Sequence, residues 1–222
     1  MSSDKATAQA ARRGRPTGDH TAKREALLKA AASVIAEEGY GNASLRKVAQ
    51  RAGYTTGAVT YYFANKEELV TALAESRFDA YDAMLRAHGP SADMKALFEE
   101  WLATAASDPE FWPVVSQLLM HARYEPAFAA LIERRNARTR AIHTSIVAAG
   151  QARGTVRDDI PADLLADHLA ATADGWMMMI PFESERFTPS RLRALVDATM
   201  TLISPASGSR RPAESTAAGD TP

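Results

Sequence analysis

The chain has 222 residues, 46% hydrophobic and 24% charged, with a formal net charge of −1 at pH 7, enough apolar material for a core in one or two domains. The absence of cysteine excludes disulfides, thiolate metal sites and cysteine nucleophiles. No run of about eighteen apolar residues and no signal-peptide pattern occurs, so a cytoplasmic protein without a membrane span is expected.

The near-neutral total hides an asymmetry. Residues 1–66 carry eleven Lys and Arg against five acids, a balance of +6, and the rest of the chain carries −7. A positive segment joined to a negative one suggests a polyanionic partner at one end only. The positive segment opens with Arg12-Arg13-Gly14-Arg15-Pro16, in surroundings with little to bury. Residues 1–19 therefore read as a disordered basic arm, either a plain tail or an arm that enters a DNA minor groove.

The first helix is expected over Thr21–Glu38, with Leu27, Leu28, Ala31, Val34 and Ile35 inward and Gly39 at its end. Ser44 is a good N-cap for a second, short helix over roughly 45–52, where Leu45, Val48, Ala49 and Ala52 recur at helical spacing and Gly53 ends the run. Thr55 or Thr56 can cap a third, whose inward face is Val59, Tyr62 and Phe63. Ala49 is small enough for the second and third helices to cross closely. What stays outside on the third helix is Thr55, Thr56, Ala58, Thr60 and Tyr61, with Gly57 baring the backbone. Hydroxyls can bond phosphates or base edges, and the helix N-terminus favours a phosphate. This is the layout of a DNA-reading helix-turn-helix; the bland alternative is a helical hairpin inside an all-α core.

The stretch 21–70 resembles the DNA-binding region of the tetracycline-repressor (TetR) family of bacterial regulators. Ala31, Glu38, Gly39, Tyr40, Ser44, Val48, Ala49, Ala52, Gly53, Gly57, Val59, Tyr62, Phe63, Lys66 and Leu69 fall where that family keeps similar residues. The resemblance implies a three-helix module whose third helix enters the major groove. Ser44, Thr55, Tyr61 and Lys66 match positions that commonly hold phosphates, and Arg46, Thr56, Gly57 and Thr60 match positions near base edges or the groove wall. Many relatives carry Tyr at the Thr60 position and His at the Tyr61 position, so the chain departs from the pattern there.

Asn65 caps a connecting helix expected from about Lys66 to His88, stopped by Gly89-Pro90. Further helices are expected at about 92–106, 109–121, 126–152, 161–180 and 188–203, and residues 205–222 read as a disordered tail. Strand signals are scarce, and the fold expected is all-α: a helix-turn-helix domain over 20–66 followed by a larger helical effector-binding and dimerisation domain over 67–204. The helix at 161–180 carries two apolar stripes, Leu165, Leu169, Thr172, Trp176 and Met179 on one and Leu164, Ala171, Gly175 and Met178 on the other. The last helix adds a seam of Leu192, Leu195, Val196, Thr199, Met200 and Ile203. Two faces imply two partners, so a homodimer through the last two helices is expected, matching a palindromic site.

Large rings and thioethers at Phe98, Trp101, Trp112, Met120, Tyr124, Trp176 and Met179 can line an adaptable apolar cavity, in which Gln117, His121 or Asn136 orients a polar group of a small-molecule effector. The same residues can equally be core packing. Asp163, Asp167, His168 and Asp174 share a helix but supply no closed metal-ligand set. No nucleophile–base arrangement and no phosphate-cradling glycine loop appears, so neither catalysis nor a cofactor is expected. The function expected is a ligand-responsive DNA-binding regulator, most simply a repressor; an all-α binding or catalytic protein that keeps a helix-turn-helix head is the alternative.

Overall fold

The structure, a computed structural model, describes residues 17–89 and 93–205. The arginine arm around Arg12 and the tail after Pro205 lie outside the described residues. Among those described there are nine α-helices, a 3-10 turn and no strand: α1 Thr17–Glu38, the 3-10 turn Tyr40–Asn42, α2 Leu45–Ala52, α3 Thr56–Tyr62, α4 Lys66–His88, α5 Met94–Ser107, α6 Phe111–Ala122, α7 Pro126–Ala152, α8 Ala162–Met179 and α9 Pro189–Ile203. The chain divides into two compact units, the first ending at Leu73 and the second beginning at Ala74.

The first unit is built on the apolar stripe of α1. Leu27, Leu28, Ala31, Val34 and Ile35 are buried together with Val48 and Ala49 of α2, Val59 of α3 and Phe63. Helix α1 starts at Thr17, earlier than the apolar pattern alone marks, so the end of the expected arm at 17–19 is helical. Gly53 adopts φ 71°, and the Tyr54 N–H donates to the Ala49 carbonyl at 2.9 Å, which closes α2 and reverses the chain.

In the second unit, Phe98 and Leu102 of α5, Val147 of α7, Leu165, Leu169 and Met177 of α8, and Val196 and Ile203 of α9 form one apolar core. Leu85, Leu97 and Ile146 form a smaller cluster. Asp93 caps α5 by accepting from the Lys95 N–H at 3.0 Å, and Thr188 caps α9 by accepting from the Arg191 N–H at 3.3 Å. Both caps move the helix starts a residue or two inside the expected bounds. The two stripes of α8 separate: Leu165 and Leu169 are buried, whereas Leu164 and Met178 are 58% and 50% exposed. The seam expected on α9 needs correction. Val196, Thr199 and Ile203 are buried in their own unit, because α5 packs against that face. The exposed apolar residues of α9 are Ala194, Ala198 and Leu202.

Candidate nucleic-acid interface and effector cavity

Local hydrogen bonds fix the head. The Ser44 hydroxyl accepts from the Lys47 N–H at 3.3 Å, and the Thr55 hydroxyl accepts from the Ala58 N–H at 3.2 Å. Each hydroxyl is therefore spent as an acceptor while its own proton stays available to a phosphate oxygen. Asn65 accepts from the Glu68 N–H at 2.8 Å, and Glu68 accepts from the Ala64 N–H at 2.8 Å. With Val59 and Phe63 buried, α3 can turn only one face outward, and that face holds Thr55, Thr56, Gly57, Thr60 and Tyr61, all exposed. The Thr60 hydroxyl donates to the Gly57 carbonyl at 3.1 Å, which leaves its lone pairs to meet a base amino group.

The basic residues of α2 divide by role. Lys47 pairs with Glu38 at 2.5 Å and Arg51 with Glu37 at 2.5 Å, tying α2 to the end of α1. Arg51 also holds the Glu37 carboxyl below its ordinary range by hydrogen bonding and charge. Arg46 is exposed and forms no ion pair among the described residues. Lys66 sits differently from the other expected DNA contacts: its ammonium donates to the Tyr40 carbonyl at 2.5 Å and to that of Gly41 at 3.5 Å, and it lies 4.1 Å from the centre of the Tyr40 ring. Burial pulls its pKa down from the ordinary lysine value. Sequence reasoning missed His20, whose ring packs at 4.6 Å from Tyr62 and edge-on at 6.0 Å from Tyr61. That contact joins the start of α1 to the end of α3, and no sequence period announces it.

The second unit holds a cavity of about 480 Å³ that opens to solvent beside Arg140, Asp167, Ala171 and Asp174. Arg77, Phe78 and Tyr81 of α4, Trp101 of α5, Phe111, Trp112, Val115 and Leu119 of α6, Asn136, Thr139, Arg140 and His143 of α7, and Asp167, Ala170, Ala171 and Asp174 of α8 line it. A void of about 60 Å³, lined in part by Phe98, adjoins the same Tyr81, Trp101 and His143 side chains. Of the nine residues expected to bind an effector, Phe98, Trp101 and Trp112 are thus brought together at cavity walls, with Asn136 beside them. Gln117, Met120, His121, Tyr124, Trp176 and Met179 line neither space. The reason for α6 is angular: Phe111, Val115 and Leu118 set its inward side, which turns Met120 and Tyr124 out to 59% and 77% exposure. Gln117 donates to the Pro113 carbonyl at 3.1 Å on its own helix, His121 stands 6.3 Å from the Phe128 ring, and Trp176 packs edge-on to Phe98 at 6.2 Å.

Polar groups in this wall are strongly conditioned by their surroundings. Tyr81 and His143 share a hydrogen bond at 2.9 Å. Burial holds His143 toward its neutral form, against the opposing charges of Asp167 and Asp82. Burial, and then the charges of Asp174 and Asp82, push the Tyr81 phenol well above the ordinary tyrosine range. The Asp174 residue reaches solvent, yet desolvation of its carboxyl by the cavity wall raises its pKa. Arg77 is paired with Asp108 and lies over the Phe111 ring at 5.4 Å. The Trp112 indole N–H is buried without an acceptor among the described residues. Behind the cavity, Asp82 is 2% exposed and clasped by Arg138 at 3.3 Å, Arg135 at 3.8 Å and Arg86 at 3.9 Å.

Among the described residues no group of acids and histidines stands close enough to hold a metal ion, and no helix is long and apolar enough to cross a membrane. Two family descriptions match the sequence. "Bacterial regulatory proteins, tetR family" covers residues 27–73, and "BetI-type transcriptional repressor, C-terminal" covers residues 90–203, just over half of the chain. The sequence is 28% identical over 185 residues to the HTH-type transcriptional repressor Rv1474c of Mycobacterium tuberculosis, spanning 81% of this chain and 92% of that one. The fatty acid degradation regulator FadR from Bacillus halodurans shares the fold with a TM-score of 0.69 at 21% identity, over 86% of this chain and 96% of that one. The structure described as the SmeT-triclosan complex gives a TM-score of 0.69 at 22% identity, over 90% of this chain and 99% of that one.

Proposed function

Because the chain belongs to the tetR family of bacterial regulatory proteins, we propose that it is a repressor that binds a palindromic operator as a homodimer and is released by a small molecule held in the cavity of the second unit. The observation that carries this reading is the outward face of α3. Thr55, Thr56, Gly57, Thr60 and Tyr61 are exposed together, while caps at Ser44, Thr55 and Asn65 fix the helices beneath them. Ser44, Thr55 and Tyr61 bond phosphates; Arg46, Thr56, Gly57 and Thr60 meet base edges and the groove wall. Lys66 first braces the Tyr40 turn, and its remaining proton serves a phosphate.

One such head reads few base pairs, so useful discrimination needs a second copy about 34–36 Å away on the same duplex face. The exposed stripe of α8, continued by Ala198 and Leu202 of α9, supplies an apolar surface for that copy. The effector acts through α4, which begins beside the head at Lys66 and gives Arg77, Phe78 and Tyr81 to the cavity wall. A ligand that prefers one setting of α4 shifts the population toward heads that no longer match the groove spacing. The triclosan bound by SmeT, which shares this fold, supports an apolar occupant. Duplexes selected from a random pool should show two inverted half-sites. Selection of sequences with no symmetry would overturn the reading, as would an effector that binds free and operator-bound protein equally well.

A further inference from the structure

The cavity of the second unit is lined by two cations, Arg77 and Arg140, and two carboxylates, Asp167 and Asp174. Arg77 has its counterion in Asp108, and His143 is held toward the neutral form. No cation pairs with Asp174 among the described residues. The Asp174 charge acts on Tyr81 across the space, and the Trp101 and Trp112 rings share the same walls. A carboxylate beside aromatic rings favours a cation twice over, through Coulomb attraction and through the negative ring faces. Taking this cavity as the effector site of the previous section, we infer that its effector class is a lipophilic organic cation, with an amine or quaternary ammonium head at Asp174 and an apolar body against the aromatic walls. A lipophilic acid of equal size would set its own carboxylate beside that of Asp174, which is partly desolvated already. A neutral molecule gains only the burial.

Three probes of one chain length separate these classes: decyltrimethylammonium, decanoate and 1-decanol, each titrated below its micelle or solubility limit. Quenching of tryptophan fluorescence and calorimetry both read binding, with the full-length chain. The cation should bind about tenfold or more tighter than decanoate. Asp174→Asn should cut cation affinity about tenfold while leaving decanol binding unchanged, which also reports that the cavity is intact. Asp163→Asn, on the same helix but away from the cavity, should change nothing. If decanoate binds as tightly as the cation, or if Asp174→Asn keeps the preference, the effector class is wrong while the cavity still binds ligands. If none of the three binds, the cavity is no effector site and both readings fall.

Discussion

At the scale of single residues, the hydroxyls of the head differ in what they leave free, a proton at Ser44 and Thr55 and lone pairs at Thr60, and that sets their expected phenotypes. Tyr61 is 74% exposed and carries the phenol proposed to meet a phosphate, so Tyr61→Ala should weaken binding to operator and unrelated duplex alike, by about 1 kcal/mol or roughly fivefold. Thr60→Ala and Thr56→Ala should instead change which bases are preferred at one position of each half-site, read by repeating the selection from random DNA. Thermal melts separate Lys66 from the threonines: Lys66→Ala loses the Tyr40 and Gly41 carbonyl bonds and should lower stability as well as binding, whereas Thr56→Ala, at an exposed position, should leave the melt unchanged. His143 makes a pH prediction. Its folded form favours the neutral ring, lowered from the ordinary 6.5, so the unfolded chain takes up its proton first as pH falls. Stability from this group is present above that value and is lost as pH falls below it, until the folded-state pKa is passed. Wild type should therefore lose more melting temperature between about pH 7.5 and about pH 5.5 than His143→Gln, which keeps a hydrogen-bond partner for Tyr81; equal losses would remove His143 from the balance.

At the scale of elements, one close contact holds the end of α7 to the chain that follows it. A Cβ placed on Gly150 would lie 2.6 Å from a Val156 methyl, and the Thr155 and Val156 N–H groups both donate to the Gly150 carbonyl. Gly150→Ala must push Val156 out of the core it shares with Val147 and Leu165, at a cost of about 1–3 kcal/mol. Urea unfolding measures it, and the double variant Gly150→Ala/Val156→Ala should recover part of the overlap strain. The helices themselves were legible because their signals are local: caps at Ser44, Thr55 and Asn65 and terminators at Gly39 and Gly53. The outward side of α3 was legible for the same reason, since burying Val59 and Phe63 leaves only one exposed face. The cavity was not. Its α7 wall is Asn136, Thr139, Arg140 and His143, and its α8 wall is Asp167, Ala170, Ala171 and Asp174. Both follow the i, i+3, i+4, i+7 spacing of an inward stripe, but with polar and small residues that carry no apolar period, so of these eight only Asn136 was expected at the cavity. Met120 and Tyr124 drew attention by their size and proved to face outward. The α9 seam was misassigned to a partner because periodicity reports that a face is apolar, and not which neighbour covers it.

At the scale of the whole molecule, the reading requires two chains. The exposed face of α8 runs through Leu164, Ala171, Gly175 and Met178, one position per turn or two. A Cβ at Gly175 would meet nothing within 4 Å in its own chain, and glycine is a poor helix former. Gly175→Glu should therefore raise the intrinsic stability of α8 while placing a carboxylate in the middle of any surface that packs there. If α8 meets its copy across a twofold axis, the two glutamates also face each other. Sedimentation equilibrium should then find wild type dimeric and Gly175→Glu monomeric with an unchanged helical spectrum. A monomer places one head on one half-site, so its affinity for a full palindrome should fall to that of an isolated half-site, because the second head no longer benefits from tethering. An associated Gly175→Glu protein that still spans both half-sites would move the interface off this face of α8, and the operator geometry would then have to be built from another surface.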